Sequence, residues 1–282
     1  MKNLILVVGG SGTVGSEITK ILTNAGHAVR TTTSRALSKT PQHSSQVKVN
    51  LTTGEGITQA FEGVERAFFL SPAGYADQYK TLSPLIQEAK RRGLKKVVLM
   101  TAMGANAVET APLRRAEIDL EKSGLAYNII RPNWFLQNFN SFWVHGINSQ
   151  GQILVPGGDA QVSFIDTRDI SAVAAKLLID DSRNNRDFDL TGGEAVTHAQ
   201  VAAALSQAAG KTIGYTSVAP APFKAGLLQA GLPEDYSDFL LLIFGLLREG
   251  YSARVTDNVS QFLGREPFQL NQYAQDFRQA WK

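Results

Sequence analysis

Three glycines near the beginning of the chain, Gly9, Gly12 and Gly15, have the spacing G-x-x-G-x-x-G. An apolar run at residues 4–8 predicts a buried strand before them, and apolar residues at helical spacing follow. Glycine permits a tight turn, close approach of a ligand to the backbone and close packing of the next helix, whose N-terminal N–H groups attract anions. An ordinary turn between a strand and a helix is the alternative. The pattern favours a dinucleotide pyrophosphate site, formed by Gly9, Gly10, Ser11, Gly12, Thr13 and Val14.

A second candidate anion site follows the second predicted strand, where the sequence reads Thr33-Ser34-Arg35. An acidic residue at this place would bind the 2′-hydroxyl of NAD, whereas a basic residue pairs with the 2′-phosphate of NADP. No acidic residue is nearby, Ser34 can donate a hydrogen bond, and Arg35 can make a bidentate contact to phosphate. Lys39 could add a further positive charge, and a merely solvated arginine is the alternative. The sequence therefore favours NADP(H) over NAD(H).

The elements that would position these residues alternate between strands and helices. In the first part of the chain, strands are predicted at residues 4–8, 28–33, 47–51, 67–70, 97–100 and 127–130, and helices at 57–61, 77–92 and 113–122. Further on, strands are predicted at 162–165 and 188–190, and helices at 168–179, 201–209, 223–230, 235–248 and 270–281. Thr197 and Gln200 have the spacing of a capping box before the helix at 201–209.

This alternation predicts an α/β fold: a Rossmann doubly wound parallel sheet with a smaller, mostly helical C-terminal lobe. We expect a Rossmann domain that binds NAD(P) at residues 1–150, which also uses residues 160–190, and a substrate-side lobe at 191–282. Ligands of such sheets bind outside the carboxyl ends of the strands. The candidate site residues therefore lie directly after each predicted strand.

Composition narrows the classes of function. The 282 residues are 43% hydrophobic and 19% charged, as in an ordinary globular protein, and the net charge of +3 does not indicate a nucleic-acid partner. Cysteine is absent, which excludes disulfides, and the four histidines have no spacing typical of a metal site. The longest apolar run, residues 239–247, is too short to cross a bilayer. We expect a cytoplasmic protein with no metal, no membrane partner and a small-molecule substrate, either a monomer or a homodimer.

Three longer segments make the sequence resemble a known family. Residues 8–15 (VGGSGTVG), 124–135 (GLAYNIIRPNWF) and 162–170 (VSFIDTRDI) look like the NmrA-like atypical short-chain dehydrogenase/reductases. Residues 188–192 (FDLTG) and 263–265 (LGR) extend the likeness towards the C-terminus. That family includes NADPH-dependent quinone reductases, triphenylmethane reductase, ergot-alkaloid imine reductases and regulators that sense NADP without catalysis. The resemblance implies a Rossmann domain, NADP(H) and a substrate cleft beside the C-terminal lobe.

The resemblance also implies roles for individual residues. Residues 9–14 would hold the pyrophosphate, Ser34 and Arg35 the 2′-phosphate, and Leu51 would flank the adenine. The positions that would line the ribose and the nicotinamide are Ser71, Pro72, Thr101, Ala102, Asn133, Trp134 and Phe135. A flat acceptor would suit aromatic neighbours with one polar contact, and the candidates are Tyr75, Trp134, Phe135, Trp143 and Asn138. Ordinary core packing is the alternative for each of these aromatic residues.

The sequence departs from ordinary short-chain dehydrogenases at one important place. Those enzymes carry a Tyr-x-x-x-Lys pair on the helix after the fifth strand, which moves a proton to or from a carbonyl oxygen. Here that helix begins Leu113-Arg114-Arg115-Ala116-Glu117, and neither a tyrosine nor a lysine occupies the positions of the pair. Glu117 is expected only to orient nearby backbone. Catalytic residues therefore remain unassigned. The sequence favours an NADPH-dependent reductase of a conjugated acceptor such as a quinone, a cationic dye or an imine; a non-catalytic, NADP(H)-sensing regulator that binds a protein partner is the alternative.

Overall fold

A computed structural model describes residues 4–37 and 42–282. The strands in these residues are β1 (Leu4–Val7), β2 (Val29–Thr33), β3 (Ser44–Lys48), β4 (Val64–Phe69), β5 (Lys96–Met100), β6 (Ala126–Pro132), β7 (Gln152–Val155), β8 (Gln161–Val162), β9 (Arg186–Leu190), β10 (Val196–Thr197) and β11 (Gly214–Ser217). The α-helices are α1 (Thr13–Asn24), α2 (Ile57–Ala60), α3 (Tyr79–Arg92), α4 (Pro112–Glu121), α5 (Val144–Gln150), α6 (Thr167–Ile179), α7 (His198–Ala209), α8 (Pro220–Gln229), α9 (Glu234–Arg248), α10 (Asn258–Leu263) and α11 (Leu270–Asp276). Short 3-10 helices lie at Ala105–Ala107, Leu136–Asn140 and Arg278–Trp281.

The main sheet explains how distant parts of the sequence reach one edge. Across the described residues it has seven strands in the order β3-β2-β1-β4-β5-β6-β9, and the pairs from β3 through β6 are parallel. The chain moves outward from β1 to β3 on one side and from β4 to β6 on the other. Val7 lies opposite both Thr31 and Phe68, so the carboxyl ends of β1, β2 and β4 meet at the same edge. The predicted doubly wound Rossmann fold is confirmed.

Apolar packing on both sides of each central strand holds this sheet together. All four residues of β1 are buried, as expected for a parallel strand that is covered on both faces. One core cluster joins residues of the strands, such as Leu6 and Leu99, to Leu85 of α3 and Leu120 of α4. Val14, Ile18 and Leu22, on one side of α1, are also buried, in keeping with their helical spacing.

The described chain separates into two compact units. The first combines the described part of Met1–Pro132 with Arg168–Asp189, and the second combines Asn133–Thr167 with Leu190–Lys282. The second unit has an antiparallel pair, β8 with β10, a parallel pair, β7 with β11, and mostly helices otherwise. Its core is rich in aromatic residues, among them Phe139, Phe244, Tyr273 and Trp281. The smaller, mostly helical C-terminal region is thus confirmed, and the boundaries at 150 and 191 stay a prediction.

Several boundaries differ from those predicted. The third strand occupies Ser44–Lys48 instead of 47–51, because a polar edge strand pairs with β2 without an apolar run to mark it. The strand predicted at 162–165 shortens to β8, and α5, β7, β11 and α10 carried no recognised signal. The capping box is confirmed: Gln200 N donates to Thr197 Oγ1 at 3.2 Å and Thr197 N to Gln200 Oε1 at 2.8 Å. Within residues 4–37 and 42–282, every helix is too short or too polar to cross a membrane.

His198, the first residue of α7, has an unusual environment in the second unit. Its side chain is fully buried, and among the described residues neither ring nitrogen has a hydrogen-bond partner. The ring stacks on Tyr215 with centroids 5.3 Å apart and meets the edge of Phe164 at 5.4 Å. This burial disfavours the charged imidazolium and lowers the pKa of His198 to about 4.

This burial makes the stability of the fold sensitive to acid. Because the unfolded chain binds a proton at His198 more readily, the free energy of unfolding should fall as pH drops from about 6.5 towards 4, by about 3 kcal/mol. Replacing the residue by an apolar one, His198→Leu, should remove that part of the pH dependence. Urea unfolding between pH 4 and 8 measures it, with His145→Leu at an exposed histidine as the matched control. An unchanged pH profile in His198→Leu would contradict this expectation.

Candidate functional site

The loop after β1 is a closed turn that is fastened to β2. Gly9 has a φ of +74°, which glycine adopts without strain. Its N–H donates to Thr32 Oγ1 at 3.1 Å, and the Gly10 N–H donates to the Thr32 carbonyl at 3.2 Å. Gly12 N then donates back to the Gly9 carbonyl at 2.9 Å. These bonds fix the loop before α1 begins.

Close contacts explain two of the glycines, one with backbone and one with a side chain. A Cβ at Gly15 would lie 2.3 Å from the Gly9 carbonyl oxygen, so only glycine lets α1 begin this close to the turn. A Cβ at Gly10 would lie 2.4 Å from Cβ of Thr31 in β2. The sequence predicted the close packing at Gly15, but the neighbouring strand that constrains Gly10 is visible only in the structure.

The N-terminus of α1 is arranged to receive an anion. Gly12 is its N-cap residue and provides no side-chain cap, and the first turn contains no acidic residue. The first N–H groups of a helix have no partner within the helix, and the helix dipole makes this end positive. A Cβ at Gly12 would meet only the Gly9 carbonyl, at 3.3 Å, so the other side of this position is open. The loop thus fits a pyrophosphate, which offers only hydrogen-bond acceptors and negative charge.

The end of β2 presents the predicted 2′-phosphate residues to solvent. Ser34 and Arg35 are both exposed, and the backbone N–H of Arg35 donates to Thr33 Oγ1 at 3.1 Å. In the part of the chain that the structure describes, no carboxylate pairs with the Arg35 guanidinium. Lys39 lies outside the described residues.

Hydroxyl groups near the ends of β3, β4 and β5 are already engaged in hydrogen bonds. Ser71 Oγ lies 2.8 Å from Thr81 Oγ1, and the Tyr75 hydroxyl lies 3.1 Å from Thr52 Oγ1. The hydroxyl of Thr101, directly after β5, donates a hydrogen bond to Glu117 Oε1 at 2.6 Å. The other residues predicted at this edge, Leu51, Pro72 and Ala102, are half-buried.

Glu117 of α4 is the centre of a buried network that the sequence did not reveal. Its side chain is fully buried and accepts hydrogen bonds from Arg131 Nε at 2.8 Å and Arg131 Nη2 at 2.9 Å. Arg114 Nη1 donates to the second carboxylate oxygen at 3.0 Å. Arg131 also donates to Asp187. Burial alone would lower the pKa of Arg131, but the hydrogen bonds and charge of Glu117 outweigh it and raise that pKa above its usual value.

The remaining predicted residues belong to the second compact unit. Asn133 is buried, and its side-chain amide donates to Ser163 Oγ at 2.7 Å and to the Ser252 carbonyl at 2.8 Å. The rings of Trp134 and Trp143 are stacked with centroids 6.3 Å apart. Both rings lie against Phe244, at 4.8 and 6.4 Å, beside the core of this unit.

Two more predicted residues of this unit form backbone contacts. Phe135 makes a parallel bridge with Ile165, and the Asn138 carbonyl accepts from the Trp143 N–H at 3.0 Å. Each of these residues has a structural contact of its own, and the cofactor and acceptor contacts assigned to them stay predictions.

Known proteins resemble this chain over nearly its whole length. The uncharacterized oxidoreductase YesF of Bacillus subtilis (strain 168) is 31% identical over 99% of this chain and 97% of the relative. An NAD(P)H azoreductase of Xenophilus azovorans is 31% identical over 93% of each chain. The structure of Citrobacter sp. triphenylmethane reductase complexed with NADP(H) has a TM-score of 0.79 at 19% identity and covers 96% of this chain and 99% of that one, a likeness of fold.

A protein-family model also matches nearly the whole chain. The model described as the NmrA-like family matches residues 1–274. This range contains every segment on which the resemblance was based. The chain belongs to the NmrA-like family.

Proposed function

We propose that this chain is an NADPH-dependent reductase that transfers hydride to a small conjugated acceptor, a quinone, a cationic dye or an imine, without a Tyr-x-x-x-Lys pair. One observation carries the proposal: α4 holds a buried carboxylate, Glu117, paired with Arg131. Glu117 lies on the helix where ordinary short-chain dehydrogenases carry their proton-transferring tyrosine and lysine, and Arg131 lies in β6.

The general class rests on the relatives as well as on the loop after β1. The chain is an NAD(P)H-dependent oxidoreductase of the atypical short-chain type and its cofactor is NADP(H), as the sequence predicted. One relative at 31% identity is an azoreductase that uses NAD(P)H, and another is called an oxidoreductase. Because this relative is an azoreductase, azo compounds should also be tested as acceptors.

In this proposal, residues 9–14 bind the pyrophosphate, Ser34 and Arg35 bind the 2′-phosphate, and Leu51 flanks the adenine. The residues proposed for the ribose and the nicotinamide are Ser71, Pro72, Thr101, Ala102, Asn133, Trp134 and Phe135. The residues proposed for the acceptor are Tyr75, Phe135, Asn138 and Trp143. When bound, NADPH supplies the hydride, and the protein orients the two reactants and excludes water.

The engaged hydroxyls support an acceptor that needs no acid from the protein. Ser71, Tyr75 and Thr101 each have a hydrogen-bond partner, and the Glu117 carboxylate is held by two arginines. A carbonyl that becomes an alkoxide needs a proton donor in the transition state. A dye cation or an iminium takes up hydride alone, and a reduced quinone can take its proton from water.

We expect the protein to accelerate NADPH oxidation by at least one member of a panel of quinones, triphenylmethane dyes, cyclic imines and azo compounds. The rate should be at least about tenfold higher than in buffer without the protein. Gly15→Ala should abolish this turnover because its Cβ would collide with the Gly9 carbonyl. Gly226→Ala in α8, where a Cβ meets no atom within 4 Å, is the matched control. Absorbance at the NADPH band measures both. If tight NADPH binding occurs without turnover on the whole panel, the chain is instead the non-catalytic NADP(H)-sensing regulator.

Replacement of the proposed phosphate-binding arginine, Arg35→Ala, should weaken NADPH binding by about 10- to 100-fold, the loss expected for a bidentate charged contact. NADH lacks the 2′-phosphate, so its affinity should change by no more than about twofold. Calorimetric titration of both nucleotides measures this difference, with Arg278→Ala at an exposed arginine of the second unit as control. Equal losses of affinity for NADPH and NADH would show that Arg35 does not bind the 2′-phosphate.

A further inference from the structure

The segment after β5, residues 101–104, is held by the backbone of β6 on one side. Thr101 N donates to the Ile130 carbonyl and Met103 N to the Pro132 carbonyl, each at 3.0 Å. Successive N–H groups of an extended chain point in opposite directions, so the N–H of Ala102 points away from β6, towards the β4 side. Among the described residues this N–H has no protein acceptor. The Ala102 carbonyl accepts from Ala105 N at 3.0 Å, which closes the segment into a turn with Gly104 at a φ of +85°.

The side chain of Thr101 ties the same segment to the interior. Its hydroxyl is buried and donates to Glu117, which Arg131 and Arg114 hold from the other sides. We call these four residues, Thr101, Arg114, Glu117 and Arg131, the Glu117 clamp. The arginines satisfy the charge of Glu117 whether or not the threonine is present. The hydrogen bond from Thr101 therefore acts mainly on the segment that follows β5.

The strand order indicates which half of a dinucleotide would reach this segment. β1 lies between β2 and β4, and β5 follows β4. With the pyrophosphate at α1 and the 2′-phosphate at Arg35 after β2, the nicotinamide half extends in the opposite direction, across β4. The end of β5 lies two strand spacings from β1, roughly 10 Å, which is within reach of that half.

We infer that Glu117 is a positioning residue: through Thr101 it holds residues 101–104 so that the free N–H of Ala102 meets the nicotinamide half of the cofactor. The inference rests on the proposed function and assigns α4 a new task in it. Where other members of the superfamily move a proton from this helix, this chain uses it to fix backbone. A buried ion pair contributes little net stability, so stability alone does not account for the clamp.

The test compares the binding of the whole cofactor with the binding of its adenosine half alone. Thr101→Val removes one hydroxyl and keeps the Glu117–Arg131 pair, and Glu117→Gln weakens the whole clamp. Thr23→Val is the matched control, because Thr23 is also buried and donates to a helix carbonyl, at 2.9 Å, but lies at the far end of α1. Calorimetric titration gives the dissociation constants of NADPH and of adenosine 2′,5′-bisphosphate, which has no nicotinamide.

For Thr101→Val and Glu117→Gln we expect NADPH to bind about tenfold more weakly, the loss of one hydrogen bond with a charged partner, while the bisphosphate stays within about twofold. Thr23→Val should change neither. The nicotinamide fluorescence of bound NADPH should also approach that of the free nucleotide in both variants. Parallel losses for the two ligands, or no loss in Thr101→Val, would overturn the inference. A wild-type chain that binds neither ligand would overturn the proposed cofactor site itself.

Discussion

The structure depends on one close approach, that of α1 to the turn after β1. Only a glycine at position 15 allows it, since a Cβ there would lie 2.3 Å from the Gly9 carbonyl. The approach brings the uncapped N-terminus of α1 to the point where the strand order reverses, between β2 and β4. Hydrogen bonds to Thr32 hold the turn in place. Because both neighbouring strands end at this edge, any anion bound at α1 has residues of both halves of the sheet beside it.

A second constraint is the burial of Glu117. A carboxylate that is buried away from solvent requires compensating charge and hydrogen bonds. Arg131, Arg114 and Thr101 provide them. Glu117 thus accepts hydrogen bonds from three side chains, whereas ordinary short-chain dehydrogenases carry a Tyr-x-x-x-Lys pair on the equivalent helix. The proposal of a conjugated acceptor rests on this arrangement. The same clamp gives the end of β5 a fixed backbone, which suits hydride transfer because that reaction depends on orientation.

The sequence predicted the features that follow from local pattern. The glycine turn, the alternation of strands and helices, the capping box at Thr197 and the family all came from residues close together in the chain. Features that depend on tertiary contacts were not predicted: the steric limit at Gly10 comes from Thr31 on another strand, and Glu117 meets Arg131 across two elements. The buried environment of His198 is of the same kind, since its aromatic neighbours come from distant segments. The position of the edge strand Ser44–Lys48 was not predicted, because a partly exposed strand does not need the apolar run by which a buried strand is recognised.

The central claim, that N–H groups at the start of α1 bind the pyrophosphate, is tested most directly by hydrogen–deuterium exchange with and without saturating NADPH. The backbone N–H groups of residues 11–15 should exchange more slowly when the nucleotide is present, because they would then donate to phosphate oxygens. Slower exchange should also appear after β2 and β5, whereas α10 should be unaffected. Unchanged exchange of residues 11–15 in the presence of bound NADPH would contradict the account.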